Sequence, residues 1–307
     1  MTAQFPTTVY TPRVTENLPG ITYDATQKQN MFSEDFQNLG NEINAIETWL
    51  LGQVKREVLT ADRTYYVRTD GNDSHNGLAN TSAGAFLTIQ HAIDVCASLD
   101  TSIYNIIIQL GAGTYSTTTT VLKNILGSGT VTISGDLTTP SNVILNQGIW
   151  KSTPGTTYII QGVKFQKTTT NAIYAIYTTE GGKIIIDKLE FGTGWDVHIQ
   201  AETNSNINAY GKSYKVIGAP SYSHIQVVGN AVVNCGWAQI TVVGNVALAC
   251  FVYSAMGGLF LSNSTTYTLT GTPTGYKYNV YLNGVILSGV TLPGNVAGVT
   301  SSGGQYS

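Results

Sequence analysis

The chain has 307 residues, of which 11% are charged, and its formal net charge is −3 at pH 7. This length allows one large domain or two of ordinary size. The small net charge gives no electrostatic reason to expect nucleic acid, a membrane surface or a strongly charged partner.

The chain shows no sign of membrane insertion, a zinc site or disulfide bonding. No segment reaches the ~18 consecutive apolar residues that a membrane-spanning helix requires. Residues 1–14 lack the basic cluster and apolar stretch of a signal peptide, so we expect assembly in a cytoplasm. Cys96, Cys235 and Cys250 lie in apolar stretches without C-x-x-C spacing. We expect buried free thiols there, with no disulfide framework, no zinc site and no cofactor.

The first 60 residues predict an anchoring arm followed by an oligomerisation segment. Residues 1–23 contain three prolines and no helical period, which predicts an extended arm. Residues 24–60 predict a helical segment whose apolar residues recur at heptad spacing: Phe32, Phe36, Leu39, Ile43, Ile46 and Leu50. We expect this seam to associate with copies of itself as a trimeric coiled coil. A simple amphipathic helix packed on its own domain is the alternative.

Residues 61–103 predict a junction that ends in a capping helix. Apolar residues within 85–99 fall on one helical face, and such a helix would cover the open end of a solenoid. Before it, Asp70, Asn72 and Asp73 carry oxygens at spacings that suit calcium. They lack the full pattern of a calcium-binding loop, so a tight turn is the favoured interpretation.

Residues 104–290 predict a single-stranded, right-handed parallel β-helix. Five stretches with two β-rich runs around a polar bend start 23 to 27 residues apart: 156–166, 182–192, 205–218, 230–244 and 257–271. The runs 106–110 and 131–135 extend this repeat backwards. A constant period of this size is typical of a solenoid, with a propeller or jelly roll as alternatives. Residues 291–307, rich in glycine, predict a loose or partner-bound tail.

Three segments resemble bacteriophage structural proteins. The sequence YYVRTDGND…GAFLTIQHAID (65–94) resembles the start of pectin-lyase-like β-helices. Segment 20–50 resembles the N-terminal region of phage fibre proteins, and segment 279–307 resembles their closing segment. The resemblance implies a virion protein, a homotrimer with three β-helices side by side. It also implies that residues 1–50 attach to a capsid or tail protein while the body projects outward.

The acidic residues restrict where catalysis can occur. Ten of the eighteen carboxylates precede residue 74, and the last is Glu202. Glu180 and Glu202 are 22 residues apart, close to one coil, and are the weak catalytic candidates for a glycosidase-type carboxylate pair. Solvated side chains on coil edges are the favoured interpretation. His198 and His224 are 26 apart and are expected to stack outward, without enough ligands for a metal.

Exposed aromatic residues could provide stacking platforms for sugars. The candidates are Trp195, Tyr210, Tyr214 and Tyr222, with Trp150 and Trp237 as further tryptophans. Core packing is the competing explanation for each. Two functional hypotheses follow: a non-enzymatic fibre or spike of a virion that contacts host-surface glycan, and a tailspike that depolymerises host polysaccharide. The sparse carboxylates favour the first.

Overall fold

The computed structural model describes residues 37–49, 56–116, 118–168 and 172–307. The chain divides into two units, Met1–Glu57 and Val58–Ser307. The predicted arm (1–23) and the seam residues Phe32, Phe36 and Leu50 lie outside the described residues. Neither described helix is long and apolar enough to cross a membrane.

The described part of the first unit contains one helix, α1, at 37–49. Three of the predicted seam residues lie on it, and their exposed fractions are 48% for Leu39, 48% for Ile43 and 46% for Ile46. Their spacing of four and three residues places them on one helical face. This face is therefore open in the single chain, and the predicted trimeric coiled coil stays a prediction.

The second unit is a parallel β-solenoid of the right-handed β-helix type with three sheets, of which sheet 1 is the longest. After β1 (Glu57–Val58), its ten strands are separated by one coil each. They are β2 (Arg63–Val67), β4 (Ile106–Leu110), β7 (Val131–Ser134), β10 (Tyr158–Gln161), β13 (Lys183–Asp187), β16 (Asn206–Asn208), β19 (Val232–Asn234), β22 (Leu259–Leu261), β25 (Val285–Leu287) and β27 (Gln305–Tyr306). The short strand β3 (Leu99–Asp100) lies between β2 and β4 in the chain.

Sheets 2 and 3 complete each coil. Sheet 2 contains β5 (Gly113–Tyr115), β8 (Val143–Leu145), β11 (Lys164–Phe165), β14 (Leu189–Phe191), β17 (Ser213–Val216), β20 (Gln239–Val242) and β23 (Thr266–Leu269). Sheet 3 contains β6 (Thr120–Val121), β9 (Ile149–Lys151), β12 (Ala172–Thr178), β15 (Trp195–Ala201), β18 (Ser223–Val228), β21 (Ala247–Ala255), β24 (Thr274–Val280) and β26 (Val299–Thr300). From β4 to β24 the chain passes through all three sheets seven times.

Residues one coil apart pair in register, and the paired strands run parallel. Ile184 pairs with Ile207, 23 positions on, and Val233 pairs with Phe260, 27 positions on. The predicted repeat is therefore confirmed, and the parallel pairing excludes the propeller and jelly-roll alternatives, which are built from antiparallel strands. Inside the solenoid, side chains of neighbouring coils stack in columns. One such column contains Ile133, Ile160 and Ile186, all fully buried.

The corner between sheet 3 and sheet 1 depends on left-handed backbone. Two successive residues have positive φ at six equivalent corners: Glu180–Gly181, Thr203–Asn204, Gly229–Asn230, Met256–Gly257, Leu282–Asn283 and Ser302–Gly303. Such a pair turns the chain within two residues. Glycine and asparagine tolerate this conformation best, which explains why they recur in the bends.

Strand pairing extends beyond the predicted body of 104–290 in both directions. β2 pairs with β4, and the predicted tail contributes β26 and β27 to sheets 3 and 1. The Ser307 N–H donates to the Ile286 carbonyl at 3.0 Å. Backbone hydrogen bonds to the preceding coil hold β26 and β27 in place. Both strands carry too few apolar residues for a sequence pattern to reveal them.

Helix α2 (Ile89–Cys96) lies in the junction and buries Ile89, Ala92, Ile93 and Cys96. The Thr88 hydroxyl oxygen caps its first turn by accepting from the His91 N–H. The cysteines Cys96, Cys235 and Cys250 are free and buried, as predicted.

We expect the inward columns to carry most of the stability of the coils. Ile186→Ala, which leaves a cavity at a fully buried position, should lower the free energy of unfolding by ~2–5 kcal/mol. Ile185→Ala, one residue earlier on the outer face of the same strand, is the matched control and should cost about 1 kcal/mol or less. Urea unfolding measures both, and equal losses would contradict the assignment of faces.

Candidate functional site

The proposed catalytic carboxylates occupy different columns. Glu180 lies at a left-handed corner with φ 51°, and its side chain is exposed. The neighbouring Gly181 N–H donates to the Thr203 carbonyl, which aligns this corner with Thr203 and not with Glu202. Glu202 accepts hydrogen bonds from the Tyr177 hydroxyl and, at 3.2 Å, from the Gln200 amide. The structure therefore does not stack the two carboxylates in one column.

The oxygens of the loop at Asp70 are used within the protein. Asp70 forms a two-pronged ion pair with Arg68, at 2.8 and 3.0 Å. Asn72 accepts from the Ser74 N–H, and Asp73 accepts from the N–H and the hydroxyl of Thr88 at the start of α2. Within the described residues, no three His, Cys, Asp or Glu side chains are close enough together to hold a metal ion. The loop is a turn that anchors the capping helix.

Two of the four predicted sugar platforms are buried, and two are exposed. Trp195 and Tyr214 are each only 2% exposed, so they pack in the core and cannot stack on a sugar. Trp195 lies edge-on to Phe165, and Tyr214 edge-on to Phe191. Tyr210 and Tyr222 are exposed, at 53% and 47%. The prediction was thus wrong for Trp195 and Tyr214, because an isolated aromatic residue does not reveal which face of its strand it occupies.

The two histidines point inward and form part of a buried hydrogen-bonded chain. Their Nδ1 atoms are 3.0 Å apart, and both side chains are fully buried. His198 Nε2 is 2.9 Å from the Gly192 carbonyl, and His224 Nε2 is 3.1 Å from the Tyr214 hydroxyl. The expected outward stacking was wrong, because Ala175 and Phe251 hold the equivalent inward positions in the neighbouring coils.

The hydrogen-bond partners fix the position of each proton in this row of side chains. Because a carbonyl only accepts, His198 donates from Nε2, and its Nδ1 must accept from the Nδ1–H of His224. His224 Nε2 then accepts from the Tyr214 hydroxyl. Burial lowers the pKa of His198 to about 3, and burial together with His198 holds the pKa of His224 well below its ordinary value. The pair is neutral in the folded protein and joins the fourth and fifth of the seven coils inside the core.

The outer face of sheet 3 carries the most chemically distinctive surface of the solenoid. Pairing partners in successive coils form one column along it: Trp150, Tyr177, Gln200, Gln226, Tyr253 and Asn279. Together with Tyr174 and Tyr222, this column is here called the sheet 3 strip. Neighbouring coils are ~4.8 Å apart, so the column extends over ~24 Å.

The rings of the strip form two contact groups with amides between them. Trp150 and Tyr177 have ring centroids 5.5 Å apart, and Tyr177 stacks on Tyr174 at 4.8 Å. Farther along, Tyr222 lies 5.7 Å from Tyr253. Gln200 and Gln226 lie in the column between these groups. Aromatic rings thus lie on both sides of two neighbouring amide side chains in this column.

Several polar atoms of the strip have no hydrogen-bond partner. They are Trp150 Nε1, Gln200 Oε1 and Asn279 Oδ1, and Gln200 is only 1% exposed. Leaving a buried donor or acceptor unpaired costs ~1–3 kcal/mol. This cost stays within the folded chain, because each of these atoms is shielded from solvent and so from a ligand that lies on the strip.

A hollow of about 340 Å³ lies on the same face. Tyr174 and Tyr222 stand on its sides, buried Val197 is part of its lining, and Gln226 and Asp196 add polar groups. The Asp196 carboxylate accepts from the Ser221 hydroxyl. Apolar ring faces with a few polar groups are typical of a small-ligand site.

Comparisons of the chain with protein-family models, curated proteins and solved structures gave no match. Function is therefore inferred from the geometry of the described residues.

The buried histidine pair predicts that acid destabilises the fold. Both pKa values are lower in the folded chain, so below pH ~6.5 the unfolded chain binds protons that the folded chain does not. The free energy of unfolding should fall by ~1.4 kcal/mol per pH unit for each histidine as the pH decreases below this value. Urea unfolding between pH 6.5 and 5, where exposed carboxylates remain ionised, measures this slope.

The double variant His198→Gln/His224→Gln should show a shallower slope than the parent chain. His91→Gln, at a half-buried histidine of α2, is the control and should keep the parent slope. A double variant as acid-sensitive as the parent would contradict the assignment of this sensitivity to the pair.

Proposed function

We propose that this chain is a bacteriophage fibre or spike protein that binds host-surface glycan along the sheet 3 strip. The observation that carries the proposal is the column of aromatic and amide side chains, together with the hollow on the same face that Tyr174, Tyr222 and Gln226 line. Sugar rings present apolar C–H faces, which stack on aromatic rings, and hydroxyls, which pair with amides. A polysaccharide chain is long and regular, as the strip is.

The solenoid provides the rigidity that such a surface requires. Every strip residue except Tyr222 belongs to a hydrogen-bonded strand, and Tyr222 immediately precedes β18. A site built on strands loses little conformational entropy when a ligand binds. The low charged fraction of 11% also suits recognition through stacking and neutral hydrogen bonds.

The proposed protein is a homotrimer attached to the head or the tail of the particle through residues 1–50. The open face of α1, with Leu39, Ile43 and Ile46, supports association of the helices. Exposed aliphatic residues at heptad spacing lose contact with water when helices pair. The resemblance of segments 20–50, 65–94 and 279–307 to phage proteins supports the assignment to a virion.

Glycan cleavage is the second candidate, and Glu202 is the observation that favours it. Its carboxylate lies beside the strip, bound by Tyr177 and Gln200. A cleaving enzyme would release reducing ends from host polysaccharide and would lose this activity in Glu202→Gln. A fibre that only binds would retain the polysaccharide intact.

We expect Tyr222→Ala to weaken binding of host polysaccharide about tenfold, because one exposed stacking face is removed. Tyr66→Ala, which removes a half-buried tyrosine of β2 in sheet 1, is the matched control and should leave affinity unchanged. Biolayer interferometry on immobilised capsule or lipopolysaccharide measures both. Equal affinities for the parent and Tyr222→Ala would refute the strip as the binding surface.

The trimer is tested by light scattering of the full chain at micromolar concentration, with an expected mass of three chains. Ile43→Asp places a charge in the apolar seam and should reduce the trimer fraction at low concentration. Thr48→Asp, on the same helix but outside the seam, is the control. A monomeric parent chain would overturn the proposed assembly.

A further inference from the structure

At the corner between sheet 1 and sheet 2, a tryptophan occupies a position where neither backbone conformation nor core packing favours a large side chain. A residue with positive φ recurs there in successive coils: Gly162, Lys188, Gly211, Trp237, Ser264 and Gly289. Trp237 has φ 59° and is 63% exposed. Bulky side chains disfavour this conformation, and exposure removes the benefit of burial. Strained positions of this kind cluster at functional sites, which makes Trp237 a candidate for one.

A groove of about 250 Å³ lies beside this corner, on the outer face of sheet 2. One wall is the connection 135–142 between β7 and β8, from which Leu137, Thr138 and Pro140 line the groove. The Asp136 carboxylate shapes this connection by accepting from the N–H groups of Thr138 and Thr139 and from Asn142. The wall is therefore formed before any ligand binds.

One lysine of the groove, Lys188, has a charge that no carboxylate of the groove neutralises. Glu190 is only 7% exposed, and its carboxylate is neutralised by Lys215 Nζ at 3.1 Å. Lys188 is exposed at the mouth of the groove, and its ammonium makes no ion pair or hydrogen bond with the described residues. Ser213 and Gln239 add a hydroxyl and an amide to the lining. An anionic group with neighbouring hydroxyls is the complementary ligand.

Lys188 and Trp237 are two coils apart in the same corner column. The Lys188 N–H donates to Ser213, and the Gly211 N–H donates to Gly236, which ties the three corners together. Two coils correspond to ~10 Å. Gly211 lies between them, and a Cβ atom built on it would meet nothing within 4 Å. The exposed indole and the unpaired ammonium thus lie in one corner column, two coils apart.

We propose that this corner and its groove form a second glycan site, which binds a sugar that carries a carboxylate. Trp237 stacks on the ring, Lys188 pairs with the carboxylate, and Ser213 and Gln239 bind hydroxyls. An indole has the largest aromatic face for such stacking, and an ammonium adds charge-assisted hydrogen bonds. The site is separate from the sheet 3 strip and does not depend on the function proposed for the strip.

The test is an array of oligosaccharides that contain glucuronate or sialic acid, each printed beside its methyl ester. The full chain should bind at least one acidic member, and the corresponding ester should bind at least tenfold more weakly. Trp237→Ala and Lys188→Gln should each lose at least tenfold. Trp237→Asn should lose the same binding with an unchanged or higher midpoint of thermal unfolding, because asparagine tolerates positive φ.

Two controls separate this site from other surfaces. Lys183→Gln removes an exposed lysine at the start of β13, and Tyr222→Ala alters only the strip, so both should retain binding. The proposal is overturned if no acidic member binds, or if the esters bind equally. It is also overturned if Trp237→Asn retains binding or if Tyr222→Ala abolishes it.

Discussion

The structure depends on the parallel hydrogen-bond register between successive coils. Ile133, Ile160 and Ile186 stack because their strands pair residue for residue. This pairing is possible only if each corner turns within a few residues, and the left-handed pairs such as Thr203–Asn204 provide that turn. From β4 onward, this register places each strand residue beside a residue 20 to 30 positions away in the neighbouring coil. The chemistry of each surface column is set by which residues this spacing brings together.

The same register separates the surfaces of the molecule by chemistry. Sheet 3 aligns Trp150, Tyr177 and Tyr253 with amides between them. Sheet 2 instead aligns Glu190 with Lys215 and supports a groove with an additional cation. Inside, it brings His198 and His224 together, so that two titratable groups share one hydrogen bond in the core. Because the backbone is fixed, each surface is prepared before a ligand arrives.

The sequence was sufficient to predict the coils but not the direction of every side chain. The runs 106–110 and 131–135 and the five repeats are strands at the predicted phase. Trp195, Tyr214 and the two histidines were placed on the wrong face. Column neighbours were the missing signal: Tyr214 pairs with Leu189 and Ile240, both buried, which marks it as inward. Sheet 3 strands also carry successive inward residues, such as His198 and Ile199, which strict alternation does not anticipate.

The central claim is that the sheet 3 strip of the assembled protein is an open surface that binds glycan. A crystal structure of the full chain soaked with an oligosaccharide from the host surface tests this most directly. The account predicts sugar rings over Tyr174 and Tyr222, with a hydroxyl hydrogen-bonded to the Gln226 amide. A structure in which neighbouring subunits cover the strip, or in which sugar binds only to other faces, would contradict it.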